Sequence, residues 1–185
     1  SLMTGLPRAV TAATGMDALT HAIESYISGF ANAETRPLSV AAVRLIFANL
    51  GTVCANGADL EARQAMALAS TWAGFAFTRA SVGYVHAIAH QFGGRYHTPH
   101  GLANAIMLPH VLEYSSPAIT GRLARLALRA RIGTDDESED DLDRHLHASL
   151  AESAEQECIL EGFVEGTEMN GIVIARGGTA EVVTL

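Results

Sequence analysis

Five of the chain's eight histidines fall between Ser81 and Ser115, in the run SVGYVHAIAHQFGGRYHTPHGLANAIMLPHVLEYS, and their spacing restricts the fold more than any other feature. His86 and His90 stand four apart in an apolar, helix-favouring run, so both imidazoles share one helix face. The glycine pair Gly93 and Gly94 is expected to break that helix. Thr98-Pro99-His100-Gly101 then turns the chain into a second apolar run and folds His100 back toward His86. Such a segment calls for helices packed across a turn.

The rest of the chain can supply them. With 185 residues, 49% apolar and 17% charged, it is long enough for one sizeable core. A formal charge of -8 without any Lys or Arg cluster argues against nucleic acid or an anionic membrane surface and leaves small molecules or proteins as partners. Cys54 and Cys158 lie far apart in apolar settings, which argues against a disulfide framework or thiolate zinc site and suits a reducing, cytoplasmic setting. No apolar run is expected to approach the roughly twenty residues that cross a bilayer, and no basic-then-apolar leader is evident. The chain opens on Ser1 and reads as a piece of something longer.

In chain order, VTAATGMDALTHAIESYISGF reads as an amphipathic helix with Met16, Leu19, Ile23, Tyr26 and Ile27 at core spacing. Asp17 and His21, four apart, share one of its faces. A second helix starts near Thr35, with Pro37 in its first turn and Gly57 as terminator. Asp59 opens a third, Ala-rich helix whose small residues permit close helix approach. After the histidine segment, Pro109 should kink or end a helix begun at His100 or Gly101, and Pro117–Arg131 restores helical period. Beyond Gly133 comes an acidic stretch, TDDESEDDLD, and the last twenty residues, rich in Gly and β-branched types, suit a short strand or loose tail. The body of the chain is therefore expected to be all-α, with residues 1–133 as a helical domain and 134–185 as an atypical acidic, then Gly/Val-rich tail.

Asp17 with His21, His86 with His90, and His100 after the turn are candidate ligands on helix faces. Imidazoles with a carboxylate form a borderline N/O donor set suited to Fe(2+) or Zn(2+). Any one histidine alone is more often a hydrogen-bonded core or surface residue, and an i, i+4 Asp/His pair also occurs as ordinary helix pairing. HxxxH with a third His following is the stronger signal. His97 belongs to the turn and His110 follows a proline, so both stay outside the set; His145 and His147 read as solvent-facing. Glu24, three residues past His21, is either a partner of a ligand or an exposed, salt-bridging glutamate. Phe75, Phe77 and Tyr84 read as core rather than pocket lining.

Two motifs, ATGMDALTHAIESYIS at residues 13–28 and GYVHAIAHQFGGRYHTPHGLANAIMLPHVLEYS at 83–115, resemble the iron-containing (group III) alcohol dehydrogenases, and AGFAFTRAS between them is similar too. The resemblance covers residues 5–131 and implies the multi-helix domain of the dehydroquinate synthase-like and iron-containing alcohol dehydrogenase fold. Carried over position by position, it implies Asp17, His21, His86 and His100 as metal ligands and His90 as a further active-site residue near substrate and nicotinamide. Gln91 departs from the proline common after that histidine, and the chain beyond Gly133 lacks the family's usual helical ending. No GGGS-like loop or βαβ pattern is present, so the resemblance is to the C-terminal helical half.

What the resemblance implies is a metal-dependent, NAD(P)-linked oxidoreductase acting on a small alcohol or aldehyde/ketone, with Fe(2+), or Zn(2+), as the metal. NAD or NADP would be held mainly by a domain outside this chain, so the polypeptide alone is expected to have little or no dehydrogenase activity. The full-length protein is expected to be a homo-oligomer. Glycerol dehydrogenase-like and dehydroquinate synthase-like enzymes share the architecture. A metal-dependent hydrolase or lyase is less suited, since no Glu follows His86 as in HExxH. A non-catalytic helical interaction module is the remaining alternative.

Overall fold

The structure is a computed structural model that describes residues 3–132 and two strands, 172–176 and 179–183. Five helices follow one another: α1 (Arg8–Ile27), α2 (Thr35–Ala55), α3 (Leu60–Ala80), α4 (Tyr84–Tyr96) and α5 (His100–Ala130). The strands β1 (Ile172–Arg176) and β2 (Thr179–Val183) pair antiparallel, Ile172 opposite Val183. The acidic stretch, with His145, His147 and Cys158, lies outside the described residues.

Helix α1 is the hub: α2 and α3 pack against it and each other, α5 packs on it, and α4 packs on α5. Leu19, Ile23 and Tyr26 of α1 are buried as their spacing predicts, and Met16 and Ile27 pack against the same core. α3 presents Ala62, Ala69, Ala73, Ala76 and Ala80 to the interior, where small side chains let helices approach closely. Its Asp59 N-cap accepts a hydrogen bond from the Ala62 N–H at 2.9 Å. Before α2, the Asn32 side chain accepts from the N–H groups of Glu34 and Thr35 at 2.9 and 3.0 Å, occupying donors that a helix start leaves orphaned.

Three local expectations give way to tertiary structure. Helix α4 runs through Gly93 and Gly94 to Tyr96 and stops at His97, which adopts the left-handed conformation at φ 55°. A helical glycine costs only about 1 kcal/mol, whereas a left-handed residue followed by Thr98-Pro99 cannot continue the helix. Helix α5 continues through both Pro109 and Pro117. Each proline costs about 3 kcal/mol inside a helix, and burial of Leu108, Val111, Leu112, Ile119, Leu123 and Leu126 on that same helix offsets it. Finally, α2 is long and apolar enough to cross a membrane by length and composition, with mean hydropathy 1.7, contrary to the expected absence of such a run. It nonetheless buries Ala42, Val43, Ile46 and Val53 in the helical core, and a core helix passes the same test.

Gly101 fixes how α5 meets α1. A Cβ there would lie 2.0 Å from the Ala13 carbonyl oxygen, a backbone atom that cannot swing aside. Gly101→Ala is expected to lower stability by at least about 1–3 kcal/mol, read as a reduced urea midpoint with unchanged slope. An unchanged midpoint would mean the two helices do not meet this closely.

Candidate metal centre

Three helices contribute to one cluster: Asp17 and His21 from α1, His86 and His90 from α4, and His100 from the first turn of α5. Asp17 Oδ1 is the shared point, 3.7 Å from His21 Nδ1, 3.4 Å from His86 Nε2 and 3.2 Å from His100 Nε2. Ligand atoms of Asp17, His21 and His86 lie within 4.8 Å of one another. His21 is sandwiched between Phe77 and His86, with ring centroids 4.2 and 4.1 Å away. His90 stacks on His100 at 5.1 Å and meets His86 edge-on at 5.9 Å. The cluster is closed at His86, whose side chain is 2% exposed, and open at His100, which is 40% exposed.

All five residues singled out in the sequence thus converge. His97 is the exposed C-cap of α4 and His110 sits further along α5. Phe77 flanks His21, while Phe75 and Tyr84 are 62% and 67% exposed, so these two are not core as expected.

Two further residues belong to the cluster. Glu24 is buried, and its Oε2 lies 2.6 Å from His86 Nδ1 while Oε1 accepts from the Val85 N–H at 2.8 Å. Asn104 was missed by sequence reasoning, although its place four residues after His100 on one helix was a usable signal. Its Nδ2 lies 2.7 Å from Asp17 Oδ1, 3.1 Å from His86 Nε2 and 3.2 Å from His100 Nε2. An amide NH2 has two hydrogens, and when His86 Nε2 is unprotonated it faces three acceptors. Its Oδ1 is buried without a hydrogen-bond partner among the described residues. Excess acceptors converging on one point are what a cation satisfies, so the donor set fits Fe(2+) or Zn(2+).

The charges agree. Burial pushes His21 down to about 4, against the pull of Asp17, so its imidazole is neutral and has a lone pair to offer. Burial works against the charged form of His86 too, but hydrogen bonds to Asp17 and Glu24 win and raise it to about 9. Burial likewise opposes ionisation of Asp17, yet His86, His21, His100 and Asn104 together hold its carboxyl below the usual value. The pocket therefore demands a positive charge beside Asp17, which either a proton on His86 Nε2 or a metal ion can provide. A separate cavity of about 130 Å³, lined by Tyr26, Arg36, Arg122, Arg125 and Arg129, contains none of these groups, and the chemistry is assigned where the donor atoms converge.

Comparison with known proteins follows the same line. The chain is 55% identical over 126 residues to the 1,3-propanediol dehydrogenase of Klebsiella pneumoniae, covering 68% of this chain and 33% of that one. The solved alcohol dehydrogenase from Oenococcus oeni superposes with a TM-score of 0.76 at 39% identity, over 90% of this chain and 44% of that one. The sulfoacetaldehyde reductase from Bifidobacterium kashiwanohense, solved in complex with NAD+, gives a TM-score of 0.66 at 30% identity, over 81% of this chain and 39% of that one. The chain thus spans less than half the length of each of these proteins. Residues 11–161 match the model of the Fe-containing alcohol dehydrogenase family, C-terminal, and the chain belongs to that family.

Proposed function

We propose that residues 1–133 form the metal-binding helical domain of an NAD(P)-linked alcohol dehydrogenase, with Asp17, His21, His86 and His100 as ligands and His90 as a catalytic residue beside them. The observation that carries this reading is the meeting of three histidines on one Asp17 oxygen, with Asn104 surrounded by acceptors. A small alcohol or its aldehyde or ketone is the substrate class, as the names of the relatives support. NAD is supported by the relative solved with NAD+. In the full-length protein, exposed Phe30, Phe47, Leu60 and Phe75 support burial against another domain or a second subunit of a homo-oligomer. The free Cys54 thiol suits a cytoplasmic setting.

When bound, the metal supplies Lewis-acid stabilisation of the substrate's oxygen. This chain's residues set the terms. Asp17 would contribute one negative charge and three neutral imidazoles none, so this donor set would leave a divalent ion net positive toward the substrate's oxygen. Buried His86 and the Phe77–His21 stack close the inner side to water. His90, exposed and stacked on His100, stands on the open side, where it can pass a proton from the substrate hydroxyl to solvent or orient the nicotinamide.

Anaerobic loading of the metal-free chain should yield one equivalent of Fe(2+) or Zn(2+) by elemental analysis after dialysis. A chain that folds and retains no metal would remove this reading. The metal-loaded 185-residue polypeptide should show little or no alcohol-dependent NADH formation, and rapid turnover would overturn the assignment of cofactor binding to a domain outside these residues.

A further inference from the structure

Glu24 is the best-buried carboxylate among the described residues, and a buried carboxylate requires partners. Three come from α4 and the residue before it. The backbone N–H groups of Gly83 and Val85 approach its carboxylate, and His86 Nδ1 lies 2.6 Å from Oε2. Helix α4 has no side-chain cap of its own, so a carboxylate from α1 serves its N-terminus. Gly83 leaves the room, since a Cβ there would lie 2.7 Å from Glu24 Oε1.

We propose that Glu24 is a positioning residue for the metal centre: by accepting the hydrogen bond of His86 Nδ1–H, it fixes the tautomer that leaves the Nε2 lone pair free for a metal on the Asp17 side. This rests on the metal-centre reading above. A carboxylate can only accept, so Nδ1 must carry hydrogen whether His86 is neutral or protonated. The atom that exchanges a proton for a metal is then Nε2, on the Asp17 side. Carboxylate partners of this kind orient imidazole ligands and raise their basicity.

Glu24→Gln separates this role from that of a helix cap. The Gln Oε1 still accepts from the Val85 N–H, preserving the cap. Its NH2 then faces His86 Nδ1 as a donor, driving the imidazole proton to Nε2 and removing the lone pair that a metal needs. The full 185-residue chain is titrated with Zn(2+) against a chromophoric chelator, native and E24Q side by side, with urea midpoints recorded without metal. Zinc affinity is expected to fall about 10–100-fold in E24Q, with the helical circular dichroism retained.

Equal zinc affinity in the two proteins overturns the Glu24 role and leaves the metal centre standing. No zinc binding by the native chain overturns the metal centre itself and the Glu24 role with it. If E24Q does not fold, nitrogen-15 NMR of the zinc-loaded native chain decides: Nδ1–H with Nε2 on zinc supports the proposal, and Nδ1 on zinc overturns it.

Discussion

Asp17→Ala is expected to weaken Zn(2+) or Fe(2+) binding by more than about 100-fold, beyond the range seen when only an outer partner of a ligand is lost. The reason is geometric as well as electrostatic. His21, His86 and His100 come from three separate helices, and the Asp17 Oδ1 atom lies within 3.7 Å of a ring nitrogen of each. Asp17 also supplies the single negative charge of the proposed ligand set. The metal-free fold should lose only about 1–3 kcal/mol, the cost of taking from the buried Asn104 amide its 2.7 Å acceptor. Chelator competition measures the affinity and urea unfolding the stability. A variant that keeps native affinity would exclude Asp17 as a ligand.

Much of this arrangement was legible before any coordinates. The spacing of Leu19, Ile23 and Tyr26 gave α1 its buried face, Asp59 marked the start of α3, and the HxxxH pair placed His86 and His90 together. Gly93, Gly94 and Pro109 were misleading, because each carries a local penalty of about 1–3 kcal/mol that packing of an apolar face can exceed. Phe75 and Tyr84 misled in the other direction: apolar character predicts burial, yet both stand well exposed on the described helices.

Glu24 shows a different limit. Its spacing from His21 fits an exposed ion pair as well as an inner partner, and only the arrival of the α4 N-terminus over α1 decides between them. Asn104 is similar. An Asn four residues past a histidine is unremarkable until Asp17 and His86 are brought to the same place from other helices. Ligands that share one helix are readable from period alone, whereas groups that complete a site across helices depend on packing.

That dependence gives His86 the largest expected effect on stability. His86→Ala deletes a proposed ligand and also leaves the Glu24 carboxylate, itself 2% exposed, without the cation it faces at 2.6 Å. Breaking a buried pair by removing one partner costs about 3–5 kcal/mol, a large part of the 5–15 kcal/mol that typically holds a domain folded. The metal-free variant should therefore unfold at markedly lower urea than Asp17→Ala, although both are expected to lose the metal. Adding Glu24→Gln to His86→Ala removes the stranded charge, so the double variant should be more stable than His86→Ala alone. If the double variant is instead less stable, Glu24 is held by the α4 N-terminus and not by His86, and the buried pair is not what joins α4 to α1.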